Sequence, residues 1–268
     1  GLLGIDEISS KKGYQDYLTI VTSRVDDEVR ILAVLKGHEK DTIKAFLSMI
    51  PKKLRKTIIA VCTDMCDGFI HATKEVFGKK IPVIVDRFHV AQLYRKCLVS
   101  LRKQELKRLK KELSEEEYHA LKSAIALLCH KKEFITDDEK RIVAPLFQQS
   151  PLLKAAYKFC CQLTAIYNSH IDQATAHEKI NSWVASVEAS ELVCFNKFLT
   201  TLKKYQTQIE NYFINRNTSG FVEGINNKAK VMKRRCYGIY NLKHFFQRLF
   251  LDFSGYAVFG NSQKLCAF

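Results

Sequence analysis

The sequence predicts an α/β protein in which a mixed β-sheet is followed by a long helical region. Apolar runs typical of strands crowd the first 85 residues, and helical periodicity then continues to about residue 215. Of the 268 residues, 47% are apolar, which is enough to build a substantial core. We therefore expect one large domain, or one domain that carries an insertion.

The first three strands are expected to form a meander joined by tight turns. Residues 2–8 are a short apolar run, residues 14–23 alternate between apolar and polar, and residues 29–35 are apolar and bounded by charge. The connecting turns fall at residues 9–13 and 24–28. Neighbouring strands joined in this way pair in antiparallel fashion.

The next elements alternate between helix and strand. Residues 39–50 and 67–77 have helical spacing, whereas residues 57–63 and 81–85 are short apolar runs typical of buried strands. The resulting order is βββαβαβ. Three meandering strands followed by crossover strands describe a mixed sheet of the ribonuclease H type more closely than a doubly wound fold.

Helices are expected from residue 87 to about residue 215. The stretch 87–113 is very basic and includes Arg95 and Arg102, so it predicts either a solvated helix face or a helix that follows phosphates. Further helices are expected at 169–198 and 199–213, and Ser114 and Glu117 have the spacing of a capping box. No strand pattern interrupts this region.

These patterns divide the chain into four parts. We expect the first part of the sheet domain at residues 1–113, an all-helical insertion at 114–215, a closing pair of helices at 216–250 and a tail at 251–268. The only tryptophan, Trp183, lies in the insertion, where a core position is favoured over stacking on a flipped base.

The amino-acid composition indicates what kind of molecule the protein binds and in what environment it folds. The net charge of +15 comes from 43 Lys and Arg residues against 28 Asp and Glu residues, which favours a polyanion such as nucleic acid, although a basic protein can lack such a role. The nine cysteines form no C-x-x-C pair, so we expect reduced thiols rather than disulfides or a zinc site. Without a membrane-length apolar run, a signal peptide or an initial Met, the sequence predicts an excised fragment of a cytoplasmic protein.

The stretch 218–235 combines two helical patterns. An apolar stripe predicts a face toward a core, and it comprises Val222, Ile225, Ala229 and Met232. A polar row on an adjacent face comprises Glu223, Asn227, Lys230 and Arg234. A surface helix with a carboxylate favoured by the helix dipole explains Glu223 about as well as a functional site does.

Two aspartates lie in or directly after predicted strands, and the carboxyl end of a strand, where Asp64 lies, is where an α/β sheet binds ligands. Asp6 lies in the first strand, and Asp64 directly follows the apolar strand that ends at residue 63. Acidic residues that end a strand are more often helix caps, and Asp67 and Asp86 fit that alternative. If Asp6, Asp64 and Glu223 converge, their mutual repulsion implies a Mg²⁺ site.

Four segments in this order resemble the catalytic domain of the ISL3 family of bacterial insertion-sequence transposases. These segments are Gly4-Ile-Asp6-Glu7, Cys62-Thr-Asp64-Met65, Asp86-Arg-Phe-His89, and Val222-Glu223-Gly224 followed by Asn226 and the Lys-Arg-Arg-x-Tyr-Gly run that ends at Gly238. The resemblance spans roughly residues 1–250. It implies a DDE transposase with a ribonuclease H-like fold.

The resemblance assigns roles to individual residues. It implies that Asp6, Asp64 and Glu223 are catalytic ligands of two Mg²⁺ ions, for which Mn²⁺ can substitute. Asp86 and His89 match a supporting Asp-x-x-His signature, and Asn227 is expected to support the site from the polar row. The residues expected to lie along the DNA backbone are Lys230, Lys233, Arg234 and Arg235, together with Arg95 and Arg102 of the basic helix.

The function implied is cutting and joining of DNA at insertion-sequence ends, by a homodimer or higher oligomer on double-stranded DNA. A ribonuclease H-like nuclease and a non-catalytic remnant that binds nucleic acid are the alternatives. The helical insertion disfavours the nuclease, and the intact acidic residues disfavour the remnant. The sequence departs from the family in two ways. The zinc-binding and helix-turn-helix region that precedes the catalytic domain in relatives is absent from it. In addition, Cys66-Asp67 stands where relatives often have an aromatic residue and a proline. Asp67 therefore remains an alternative to Asp64.

Overall fold

The computed structural model describes residues 1–9, 17–26, 28–130, 135–190, 192–235 and 241–255. The predicted turn at 9–13, the Tyr-Gly end of the basic run and most of the tail after residue 251 therefore lie outside the described residues. The chain forms two compact units. One comprises Gly1–Asp86 and Thr207–Phe268, and the other comprises Arg87–Gln206.

The first unit is built on a five-stranded mixed sheet. Its strands are β1 (Leu2–Ser9), β2 (Tyr17–Val25), β3 (Glu28–Lys36), β4 (Ala60–Thr63) and β5 (Val83–Val85). They lie in the order β3-β2-β1-β4-β5, with β1 antiparallel to β2, β2 antiparallel to β3, and β4 parallel to both β1 and β5. The predicted ribonuclease H-like sheet is confirmed.

Helices account for most of the remaining described residues. In chain order they are α1 (Lys40–Met49), α2 (Lys52–Arg55), α3 (Asp67–Phe77), α4 (Arg87–Glu112), α5 (Glu115–Ala120), α6 (Lys122–His130), α7 (Asp137–Gln149), α8 (Pro151–Asn168), α9 (Gln173–Ala189), α10 (Asn196–Lys204), α11 (Gln206–Glu210), α12 (Tyr212–Asn215), α13 (Gly220–Arg235) and α14 (Leu242–Phe250). None of these helices combines the length and the apolar character that a membrane span needs.

Alternating residues of β1 face different helices. Leu3 and Ile5 belong to the apolar cluster that includes residues of α1 and α3, whereas Ile8 belongs to the cluster that includes residues of α13 and α14. Gly4 lies on the same side as Ile8, and a Cβ added to Gly4 would be 2.2 Å from Val222 Cγ2 of α13. Helix α13 therefore lies directly on β1, and only glycine leaves room for this approach.

In the second unit, all regular secondary structure of the described residues is helical. The capping box predicted at Ser114 and Glu117 is present. Trp183 is 4% exposed and its indole N–H donates to the carbonyl oxygen of Phe159 at 3.0 Å, so its predicted core role is confirmed. The basic helix α4 belongs to this unit, so the compact units divide at residues 86 and 206 rather than at the expected 113 and 215.

The two long helices predicted at 169–198 and 199–213 are wrong. Helix α9 ends at Ala189, where the hydroxyl of Ser190 donates to the carbonyl oxygen of Val187 at 2.6 Å. A short 3₁₀ turn follows and buries Phe195 before α10 begins. The second predicted helix is divided into α10, α11 and α12. Helical periodicity alone does not reveal such breaks, because a tight turn can also bury apolar residues at similar spacing.

Candidate active site

Three aspartates follow one another across the carboxyl edge of the parallel strands. The paired residues Ile5, Thr63 and Val85 end the ladders between β1, β4 and β5, and Asp6, Asp64 and Asp86 come next. The backbone N–H of Asp86 still donates to the carbonyl oxygen of Thr63 at 3.0 Å. Because side chains alternate along a strand, Asp6 shares the face of Gly4, which is the face covered by α13.

Asp6 is half-buried and held by two N–H donors. Its Oδ1 accepts from the backbone N–H of Glu7 at 2.7 Å, and its Oδ2 accepts from Nδ2 of Asn226 at 2.6 Å. Asn226 belongs to α13 and is 3% exposed. The aspartate of the first strand is therefore linked directly to a helix that follows it by 220 positions in the chain.

Asp64 is half-buried and directly follows β4, whereas Asp67 is exposed. Burial raises the pKa of the nearby Cys66 thiol, and the negative charges of Asp64 and Glu7 raise it further. Cys66 is also the N-cap residue of α3, so the capping role expected for Asp67 is wrong. Asp67 lies instead in the first turn, where the helix dipole favours a carboxylate.

Asp86 is 4% exposed, and its carboxylate accepts a hydrogen bond from the hydroxyl of Ser219. Burial raises the pKa of the Cys62 thiol to about 12, and the negative charge of Asp86 contributes to this shift. Asp86 thus lies close to β4 and to the residue that precedes α13. His89, the partner of Asp86 in the Asp-x-x-His signature, is half-buried in α4 of the second unit, with its ring edge-on to Phe88.

Glu223 lies in the first turn of α13 and is half-buried. Its backbone N–H donates to the carbonyl oxygen of Ser219 at 3.1 Å. The preceding residue, Val222, packs against Gly4 of β1. Asn226, which holds Asp6, follows Glu223 by three residues, so the two side chains are neighbours on the helix surface.

The residues brought together supply oxygen donors of the kind that Mg²⁺ prefers. In addition to the carboxylates, Oδ1 of Asn226 is buried and has no hydrogen-bond partner in the described part of the chain. The donor chemistry therefore fits a divalent cation. Within those same described ranges, however, no three His, Cys, Asp or Glu side chains form a group that could hold a metal ion. The three-carboxylate metal site stays a prediction.

The structure favours Asn226 over the predicted Asn227 as the asparagine that supports the site. Asn227 is exposed, whereas Asn226 is buried and donates to Asp6. The sequence did contain a signal for Asn226, because it follows Val222 by four residues and precedes Ala229 by three. That spacing places Asn226 on the apolar stripe, where a buried amide needs a hydrogen-bond partner.

The predicted DNA-binding residues have different surroundings. Lys230, Arg234 and Arg235 are exposed on α13. Lys233 is half-buried, burial lowers its pKa, and its ammonium group donates to the carbonyl oxygen of Ser9 at 2.9 Å. This contact ties α13 to the end of β1, so the expected role of Lys233 as an open phosphate contact is not supported.

The two arginines predicted in α4 belong to the second unit. Arg95 is half-buried. Arg102 is also half-buried, and its Nη1 donates to the carbonyl oxygen of Leu128 at 3.1 Å, which connects α4 to α6. Arg102 therefore contributes a hydrogen bond within the helical unit, and its role in DNA binding stays a prediction.

Comparison with known proteins agrees with this arrangement. Residues 3–249 match the family model of ISL3-type DDE enzymes, whose description is "Transposase". The chain belongs to the ISL3 family of DDE transposases. The match runs from β1 to α14 and includes the helical unit, so the family resemblance seen in the sequence is confirmed.

A curated relative of this ISL3-family chain is the "Transposase for insertion sequence element IS1001" of Bordetella parapertussis. The two are 26% identical over 256 residues, which cover 95% of this chain. The same residues cover 61% of the relative, so the chain spans about three fifths of the length of the curated protein that it matches. No solved structure matches the chain.

Proposed function

We propose that this chain is the catalytic part of a transposase that cuts and joins DNA by metal-dependent phosphodiester chemistry. The observation that carries the proposal is the position of Asp6 in β1 and of Asp64 directly after β4, each one residue beyond the last pair of the parallel ladder that joins the two strands. Helix α13, which carries Glu223, packs against β1 through Val222 and Gly4. Membership of the ISL3 family supports the same assignment.

Asp6, Asp64 and Glu223 would hold the divalent cations. When bound, two Mg²⁺ ions, or Mn²⁺ in their place, would activate a water or a 3′-hydroxyl and stabilise the leaving oxygen of an in-line displacement. The protein's contribution is the placement of these carboxylates. The backbone of Glu7 and the amide of Asn226 orient Asp6, and the hydrogen bond between Ser219 and Asp86 fixes the start of the helix that carries Glu223.

Double-stranded DNA is the proposed substrate, both as insertion-sequence ends and as target. The net charge of +15 provides sequence-independent attraction to phosphates. Lys230, Arg234 and Arg235 are exposed on the same helix as Glu223, so they can bind the backbone beside the carboxylates without reading bases. We expect the active form to be a homodimer or a higher oligomer that holds two DNA ends.

Excision in a chimaera tests this proposal. The chain would replace the matching segment of the IS1001 transposase, and excision of a marker flanked by IS1001 ends would be scored. We expect Asp6→Asn, Asp64→Asn and Glu223→Gln each to abolish excision. Asp67→Asn is the matched control, because Asp67 is exposed and only three residues after Asp64.

Excision that persists in all three carboxylate variants would overturn the assignment of the active site. If excision is lost with Asp67→Asn but kept with Asp64→Asn, then Asp67 rather than Asp64 is the second metal ligand. The alternatives of a nuclease and of an inactive remnant also give distinct results. A nuclease would cut the flanking DNA without joining it, and a remnant would bind DNA without cutting it.

A further inference from the structure

The amide of Asn226 has two ends with different surroundings. Its Nδ2 donates to Oδ2 of Asp6 at 2.6 Å, and its Oδ1 is buried with no hydrogen-bond partner among the residues described. An ionised carboxylate only accepts hydrogen bonds, so Nδ2 must be the atom that faces Asp6. The orientation of the amide is therefore set by the charge of its neighbour.

Both oxygens of Asp6 accept hydrogen bonds from N–H groups. Glu7 supplies a backbone N–H to Oδ1, and Asn226 supplies its amide to Oδ2. A carboxylate that accepts a hydrogen bond at each oxygen is fixed in one orientation. Because an amide is neutral, it orients Asp6 without cancelling the negative charge that attracts the cation, as an arginine or lysine would.

The same contact fixes the position of α13 over the sheet. Ile225 and Ala229, which flank Asn226 on the helix, belong to the apolar cluster that includes Ile8 of β1. Packing alone does not explain an amide at this position, because an apolar side chain would avoid both the cost of burying the amide and the unpaired Oδ1.

We propose that Asn226 is a positioning residue that holds Asp6 in the orientation needed for cation binding and ties the helix of Glu223 to β1. The inference rests on the proposed function, because it assumes that Asp6 is a metal ligand. It goes beyond that function in assigning to Asn226 a role that is exerted entirely through Asp6.

A double-mutant cycle tests this role by measuring Mn²⁺ binding to the purified chain from the electron paramagnetic resonance signal of free Mn²⁺. The four proteins are the parent, Asp6→Asn, Asn226→Leu and the double variant. We expect Asn226→Leu to weaken Mn²⁺ binding by about 10-fold or more, which is the usual effect of losing the partner of a metal ligand. In the Asp6→Asn background, the same substitution should change binding less than about twofold, because interacting sites are not additive.

Leucine matches asparagine in branching and in the number of side-chain heavy atoms, and it suits the apolar surroundings. The thermal midpoint of Asn226→Leu should stay close to that of the parent even though Mn²⁺ binding falls, because removal of a buried amide with an unpaired Oδ1 offsets the loss of a donor to Asp6. A purely structural role would not produce this combination. Asn227→Ala is the matched control, because this neighbouring asparagine is exposed, and it should change neither quantity.

The possible failures are distinguishable. If Asp6→Asn weakens Mn²⁺ binding and Asn226→Leu does not, Asn226 is not a positioning residue but the proposed function stands. If the two substitutions weaken binding additively, Asn226 acts independently of Asp6 and the inference is overturned. If the parent does not bind Mn²⁺, or Asp6→Asn binds as well as the parent, the metal site of the proposed function is wrong and the inference falls with it.

Discussion

The hydroxyl of Ser219 donates a hydrogen bond to the carboxylate of Asp86, and both side chains are almost completely buried. Ser219 directly precedes α13, and its carbonyl oxygen also accepts the backbone N–H groups of Val222 and Glu223. One serine therefore connects the end of β5 to the first turn of the helix that carries Glu223.

Removing that hydroxyl should destabilise the fold. We expect Ser219→Ala to lower the free energy of unfolding by about 1–3 kcal/mol, because a buried carboxylate loses a donor. Urea denaturation of the purified chain measures this change. Ser100→Ala in α4 is the control, because Ser100 is exposed and its loss should cost less than about 0.5 kcal/mol. Equal stability of Ser219→Ala and the parent would show that the contact contributes nothing.

Replacing each of two glycines near the site by alanine should change the free energy of unfolding in opposite directions. Gly4→Ala would place a Cβ 2.2 Å from Val222 Cγ2 and 2.6 Å from Thr22 Oγ1, so we expect a loss of about 1–3 kcal/mol in the free energy of unfolding. Beyond its chain neighbours and the backbone of its own helix, no atom of a described residue lies within 4 Å of a Cβ added to Gly224, in the interior of α13. Gly224→Ala should therefore stabilise the protein by about 0.5–1 kcal/mol.

The same urea denaturation experiment measures both glycine variants. Val222→Ala removes the side chain that would clash with the Cβ of Gly4→Ala, so it should recover part of the lost stability. The double variant should therefore be more stable than the two single losses of free energy of unfolding, added together, predict. A neutral Gly4→Ala would mean that α13 does not lie against β1 as closely as the structure shows.

Glu223→Gln separates catalysis from DNA binding. The substitution keeps the shape of the side chain but removes the charge proposed to hold a cation, so Mn²⁺-dependent nicking of supercoiled plasmid DNA should fall by at least about 100-fold. DNA affinity, measured by fluorescence anisotropy, should stay the same or rise slightly because repulsion of phosphates decreases. If the nicking rate is unchanged, Glu223 has no catalytic role and is a surface carboxylate that the helix dipole favours.

Two lysines of α13 should behave differently when each is replaced by alanine. Lys230 is exposed, so Lys230→Ala should weaken DNA binding equally for all sequences and reduce the slope of log affinity against log salt by about 0.9. Lys233 already donates to the carbonyl oxygen of Ser9. Lys233→Ala should therefore lower the thermal midpoint and leave the salt slope nearly unchanged, whereas equal slopes for the two variants would show that both lysines contact phosphates.

The sequence predicted the sheet well because its signals are local. The alternation in β2 and the apolar runs of β1 and β3 fall within single elements, and α3 begins and ends at the predicted residues. The positions of Asp6 within the first strand and of Asp64 directly after β4 followed from the same local patterns. Their adjacency depends on the parallel pairing of β1 with β4, which the predicted order of elements already implied.

The errors concern properties that the tertiary structure determines. Asn226 and Asn227 differ by about 100° around the helix axis, and which of them faces β1 depends on the close packing of Val222 against Gly4. The buried contact of Lys233 with Ser9 and the break after Ala189 likewise depend on partners distant in the chain or on turns that mimic helical spacing. Charge and periodicity within one segment carry no information about such partners.

The order of the chain has a consequence for synthesis on the ribosome. The strands that carry Asp6 and Asp64 emerge early, but α13 follows only after the whole helical unit, and until then Ile8 and Ile20 lack the helix that buries them. A nascent chain shorter than about 220 residues therefore exposes an apolar sheet surface to chaperones, and it also lacks Glu223. Premature termination within this long window would yield a polypeptide that is prone to aggregate and that lacks one of the carboxylates proposed to hold the cations.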